Sequence, residues 1–187
     1  YNVVDMTEEE INKWAAEAKF LKAYYHFLLF TYYGPIPIVD ENLPISASDT
    51  EVRVKRRTVD ESVAYIVETI DEALIHLPAR VLSSNDLGRI DQVIAKGIKS
   101  RVLTYAASPL FNGNSEMYSG FVNEDGEHFF NQSYDQTKWD LAREASLDAI
   151  VTAIENGVGM YEFTSAPPNY EDEYEEEEFI QTVYDLK

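Results

Sequence analysis

The chain contains no cysteine. Disulfides, thiol nucleophiles and Cys-ligated zinc are therefore excluded, while the redox compartment stays open. No run of about 18 apolar residues occurs, so no segment is suited to cross a bilayer as a helix. Basic residues are scarce: 15 Lys and Arg stand against 34 Asp and Glu, a formal net charge of −19. Phosphate backbones repel such a chain, which argues against any nucleic-acid partner. Anionic membrane surfaces are disfavoured for the same reason. Histidine is limited to His26, His76 and His128, none at an HExxH or similar metal-ligand spacing. No GxSxG, phosphate-loop or GxGxxG pattern occurs either.

What is present suits a folded domain. Of 187 residues, 45% are hydrophobic and 26% charged, close to globular averages and sufficient for a sizeable core. Four segments carry helical signals. Thr7-Glu8-Glu9-Glu10 fits a capping box, in which Thr7 accepts from free amides and Glu10 reaches back. Ile11, Trp14, Ala15, Ala18, Leu21, Tyr25, Leu28 and Tyr32 then recur three and four apart until Gly34-Pro35 stops the helix. Tyr24, Phe27 and Phe30 flank that stripe, so this helix is apolar nearly all round and expected between neighbours. Thr58-Val59-Asp60-Glu61 is a second capping box, leading a stripe of Val63, Ile66, Val67, Ile70, Leu74 and Leu77 that ends at Pro78. The third helix is expected at about Gln92–Ala107, with Ile94, Ile98, Val102 and Tyr105. The fourth is expected from about Thr137 to Glu155, with Asn156-Gly157 as its cap. Trp14, Tyr25, Tyr32, Tyr105 and Trp139 lie on these stripes and are expected in the core.

The connections are less regular. Residues 34–57 hold Pro35, Pro37 and Pro44 and predict an extended passage. Their basic cluster, Arg53, Lys55, Arg56 and Arg57, is read as neutralising acidic neighbours rather than as a binding patch. Residues 108–135 form a connection so long that it implies either a task of its own or disorder. From residue 160 the character changes: seven of the eight residues from Glu171 to Glu178 are acidic, and Phe179–Tyr184 predicts a short strand. The expected division is therefore 1–159 and 160–187. The chain starts at Tyr1 and is expected to be a piece of something longer.

Paired helices suggest a tetratricopeptide-like build, although the connections exceed a 34-residue repeat. A closer resemblance lies in Ala16-Glu17-Ala18-Lys19-Phe20-Leu21-Lys22-Ala23-Tyr24-Tyr25-His26-Phe27, followed by Tyr32-Tyr33-Gly34-Pro35-Ile36-Pro37-Ile38. Arg57-Thr58-Val59-Asp60-Glu61, Gly88-Arg89-Ile90 and Lys99–Asn112 follow in order, and Trp139, Ala142 and Ala145 continue the pattern. Together these stretches resemble the SusD/RagB family. The resemblance implies an all-α fold of tetratricopeptide-like helical pairs with long extended insertions and a short strand-like tail. It implies no cofactor and no catalysis. It also implies an oligosaccharide or other nutrient ligand, a SusC-like TonB-dependent transporter as partner, and a place at the outer membrane through a lipid anchor outside this chain.

Enzymatic readings gain little from the residues. With 34 carboxylates, pairs at glycosidase spacing arise by chance. Asn123-Glu124-Asp125-Gly126-Glu127 offers oxygen ligands for Ca²⁺ but departs from the EF-hand pattern. A carbohydrate binder needs aromatic faces for sugar rings and amide or charged groups for hydroxyls. The long connection supplies both, and Tyr118, Phe121, Asn114 and Asn123 are the expected ligand-contacting residues. Phe111 and Phe130 are expected as buried anchors, with Tyr118 and Phe121 more exposed. The competing reading is a helical protein-interaction scaffold with no small-molecule ligand.

Overall fold

The computed structural model describes residues 5–160. The expected strand at 179–184 and the region from 161 onward lie outside the described residues. The order is α1 (Glu8–Tyr33), α2 (Asp49–Val52), α3 (Val59–Leu74), a 3-10 turn (Ser84–Asp86), α4 (Gln92–Ala107), α5 (Ser115–Tyr118) and α6 (Gln136–Glu155). Among the described residues there are helices and isolated bridges but no sheet. The all-α expectation holds.

Both capping boxes form. Thr7 accepts from the Glu10 amide while Glu10 accepts from the Thr7 amide at 2.9 Å, and Thr58 and Glu61 repeat the pattern at 2.8 Å. A third box, Ser48 with Glu51, opens the four-residue α2, which is too short to show a period. Hydrogen bonding from the Thr58 amide holds the Glu61 carboxyl below its ordinary range, and the Thr58 hydroxyl adds to this. A lowered folded pKa adds stability above the unfolded value of about 4.3 and loses it as pH falls through the folded value. Glu61→Gln keeps the box but not the charge. Wild type should therefore be the more stable at pH 7 in urea melts, and the gap should narrow as pH falls below about 4.3. A gap that stays constant down to about pH 2 would refute the charge contribution.

Helices pair as expected. Lys19 meets Glu72 at 2.6 Å, and seven residues further along α1 the His26 ring meets Tyr65, so α1 and α3 run antiparallel. Lys96 bonds Asp148 and Thr152 while Ser100 bonds Ser146, so α4 and α6 do the same. α3 packs on α4, giving the layer order α1, α3, α4, α6. Gln92 joins the central layers by donating its side-chain amide to the carbonyls of Leu74 and Leu77.

The buried face of α1 is not the expected one. Ala16, Phe20, Ala23, Phe27 and Phe30 face the core, whereas Trp14, Leu21, Tyr25 and Tyr32 are exposed. The helix carries two apolar stripes, and α3 and α4 cover the one whose alanines let them approach closely. Trp139 is likewise 38% exposed, and α6 leaves Leu147, Ile150 and Ile154 in the open. Tyr105 packs against the core, α3 buries Ile66 and Ile70, and Leu77 joins them just beyond the helix end.

Candidate functional site

The long connection from Ser108 to Asp135 is folded rather than extended. Asn112 and Asp135 close its base, each backbone or side chain donating to the other at 2.8 Å. Asn112 and Asn131 form a parallel bridge there, and Val122 and His128 form an antiparallel one near the tip. The Val59 amide donates to the Phe129 carbonyl at 2.9 Å, tying the connection to the start of α3. Phe111 and Phe130 are 3% and 4% exposed. An unbroken aromatic series runs from Phe30 through Phe111 to Phe130, with centroids 5.0 and 5.7 Å apart. This series joins α1 to the connection.

The four expected ligand residues all lie on this lobe. Phe121 is 37% exposed and packs on Phe129 and Phe130, with centroids 5.0 and 6.0 Å away. Tyr118 departs from the expectation of an exposed tip: its ring stacks on Phe130 at 3.8 Å and 10°, because α5 turns it inward. Phe130 thus supports both rings. Asn114 caps α5 by accepting from the Met117 amide at 3.2 Å. The Asn123 carbonyl oxygen accepts from the amides of Asp125 and Glu127, and its amide donates to Glu127. Both asparagines therefore serve turns as well as offering polar atoms. Among the described residues no group of three or more Asp, Glu or His converges as a metal site.

Asn123 also lines a cleft of about 280 Å³ with Lys55, Arg56, Arg57, Asp125 and Glu127. This cleft brings the basic cluster to the tip of the connection. Lys55 pairs with Glu124 at 3.0 Å and Arg57 with Glu61 at 3.5 Å, so part of the cluster is locally neutralised.

A second polar site had no pattern in the sequence. A cleft of about 560 Å³ between α1 and α3 contains Lys22, Asp40, Tyr65 and Glu68. Lys22 donates to Asp40 Oδ1 at 2.6 Å, and the Tyr65 hydroxyl donates to the same oxygen at 3.0 Å. The Lys22 hydrogen bond, joined by that of Tyr65, holds Asp40 below the usual carboxylate range. Burial pushes the Tyr65 phenol up. His26 completes the arrangement: its Nδ1 bonds the Lys22 carbonyl at 2.8 Å, so that N–H donates and Nε2 accepts from the Val39 amide at 3.4 Å. The histidine is occupied in holding residues 36–40 against α1. The three segments that meet here, at Lys22 and His26, at Asp40 and at Tyr65, lie 14 to 43 positions apart, which is why no spacing signalled them.

Sequence and structure comparisons point to one family for this chain. A family model described as starch-binding and associating with the outer membrane, SusD-like, matches residues 2–103, just over half of the chain. The chain belongs to the SusD-like family. The solved structure of BT4246 shares 32% identity over 96% of this chain and 32% of its own, with a TM-score of 0.79. A laminarin-binding SusD-like protein shares 28% identity over 56% of this chain and 22% of its own, with a TM-score of 0.50. A SusD-like protein of Bacteroides fragilis shares 27% identity over 55% and 19%, also at 0.50. No curated protein matches the sequence. The SusD-like chain thus spans about a third or less of the solved structures it resembles. The family description and the laminarin-binding relative's name both refer to carbohydrate binding.

Proposed function

We propose that this SusD-like chain is the helical section of a glycan-binding protein of the outer membrane, which delivers its ligand to a SusC-like TonB-dependent transporter. The observation that carries this reading is family membership, together with a laminarin-binding relative at 28% identity. Among the described residues no helix is long and apolar enough to cross a membrane. Attachment through a lipid anchor outside this chain accords with that.

Within the section, the lobe at 108–135 is the proposed ligand-contacting part. Phe121 offers a partly open ring resting on a rigid aromatic base, the arrangement that suits the apolar face of a pyranose. Asn123 and Asn114 offer amide hydrogen bonds for hydroxyls, and Tyr118 contributes an edge beside Phe130. Calorimetric titration of the full-length protein with laminarin and with soluble starch tests the reading. Binding of either glycan is expected, and Phe121→Ala should weaken it by roughly tenfold, about 1.4 kcal/mol. The melting temperature should move by only a few degrees. Unchanged affinity in Phe121→Ala would remove this residue from the site.

The second reading is a protein-interaction scaffold without a ligand of its own. The exposed apolar row on α1 favours it. Retained transporter binding with no glycan binding at all would decide for it.

A further inference from the structure

Four of the 15 Lys and Arg residues fall together at Arg53, Lys55, Arg56 and Arg57, in a chain of net charge −19. The fold sets them against Glu61, Glu124, Asp125 and Glu127 around the cleft at the tip of the long connection. The summed charge there is near zero, so what the cleft attracts depends on which groups already have partners. Glu124 pairs with Lys55, and Asp125 adds its field at the same ammonium. Glu61 gives one oxygen to the Thr58 amide and hydroxyl and turns the other to Arg57. Glu127 accepts from the Asn123 side-chain amide. Among the described residues no carboxylate pairs with the guanidinium of Arg53 or of Arg56.

Of these two, Arg56 lines the cleft. Its main chain is fixed: Arg56 pairs with Pro37 in an antiparallel bridge, and the Arg57 amide donates to the Ile36 carbonyl at 2.9 Å. The side chain is what remains available. A guanidinium stays charged at every working pH and presents a planar fork of donors that matches a carboxylate or a sulfate. Charge-assisted bonds of this kind are roughly twice as strong as neutral ones, so an acidic group gains more from Arg56 than a sugar hydroxyl does. The carboxylates around the cleft repel additional negative charge, which favours one acidic group per sugar over a densely charged polymer. The aromatic platform stands beside this cleft. Val122 pairs with His128, the Phe129 amide donates to the Phe121 carbonyl, and the Asn123 amide donates to the Glu127 carbonyl. Side chains alternate along such a pair, so Phe121 and Asn123 share a face, roughly 7 Å apart. A sugar ring seated on Phe121 therefore has a path for its substituent past Asn123 into the cleft that Arg56 lines.

We infer that the glycan taken by this lobe is acidic: Arg56 receives the carboxylate of a uronate or the sulfate of a sulfated sugar, while Phe121 supports the ring. The assignment rests on the glycan-binding reading above and adds the chemical class of the ligand.

The test is calorimetric titration of the full-length protein with acidic oligosaccharides, each set against its own uncharged form. Oligogalacturonate is compared with its methyl ester, and a κ-carrageenan oligosaccharide with its desulfated form. At least one acidic member should bind at least about tenfold more tightly than its uncharged partner, and the pair that shows the difference tells carboxylate from sulfate. Arg56→Gln should bring that ratio close to one. Arg56→Lys keeps the charge without the fork, so it should retain only part of the ratio, and it stands in should Arg56→Gln not fold. Phe121→Ala should weaken both members of the pair. Equal binding of the acidic and uncharged forms, or a ratio that survives Arg56→Gln, overturns the acidic assignment and leaves the glycan-binding reading standing. Binding of laminarin or soluble starch without binding of either acidic oligosaccharide does the same. Failure to bind any of these glycans overturns both.

Discussion

Phe30→Ala should lower stability by about 3–5 kcal/mol, the range for deleting a fully buried phenylalanine ring. Phe30 is 0% exposed and is the point where two parts of the molecule join. Its ring meets Tyr105 of α4 at 5.8 Å and Phe111 of the long connection at 5.0 Å. Phe111 in turn stacks on Phe130. Truncation removes the buried ring's transfer energy and leaves a cavity lined by the rings of Tyr105 and Phe111. At roughly 2–4 °C per kcal/mol for a chain of this size, the melting temperature should fall by on the order of 10 °C. Phe130→Ala should cost a comparable amount, but Tyr118 and Phe121 would lose their base as well. The two substitutions share the Phe111 contact, so their effects should be less than additive. Strict additivity in thermal or urea melts would show that the aromatic series is not one packed unit.

The helices were legible because their ends are chemical signals. Thr7 with Glu10 and Thr58 with Glu61 fix two starts, and Gly34-Pro35 fixes one end, with Gly34 at φ 68° closing α1. Which stripe of α1 turns inward was not legible. Both stripes are apolar, and the choice depends on Ala16 and Ala23 admitting α3, a property of the pair rather than of one helix. α5 escaped for want of length, although Asn114 is a cap residue of ordinary type. The lobe's anchors Phe111 and Phe130 were legible as aromatics beside helix ends. The inward turn of Tyr118 was not, since α5 sets it. Asn123-Glu124-Asp125-Gly126 is a turn sequence in its own right, and Asn123 spends its carbonyl oxygen on that turn. The Lys22–Asp40–Tyr65 network joins three distant segments and exists only after α1 and α3 have paired.

Gly113→Ala should be the most damaging small change in the long connection, costing at least about 3 kcal/mol. Gly113 has φ 79°, where an L side chain is strained by about 1–2 kcal/mol. Space is the larger obstacle. A Cβ there would lie 2.5 Å from the Tyr134 nitrogen and 2.8 Å from the Ser133 carbonyl carbon, both backbone atoms that cannot rotate away. Relief requires residues 131–135 to move off Gly113. That movement pulls apart the Asn112–Asp135 hydrogen bonds of 2.8 Å. It also disturbs Asp135, whose carboxylate caps α6 by accepting from the Thr137 amide at 2.9 Å. Gly88 is the internal control. Its φ of 93° is equally left-handed, yet a Cβ there meets nothing within 4 Å. Gly88→Ala should therefore cost only the conformational strain, about 1–2 kcal/mol. Urea melts of both variants separate strain from collision. Hydrogen exchange should place the added loss in Gly113→Ala at residues 131–140. Equal losses in the two variants, or exchange changes confined to residues 113–118, would mean that the base of the connection yields without cost and that the collision is not what holds Gly113 in place.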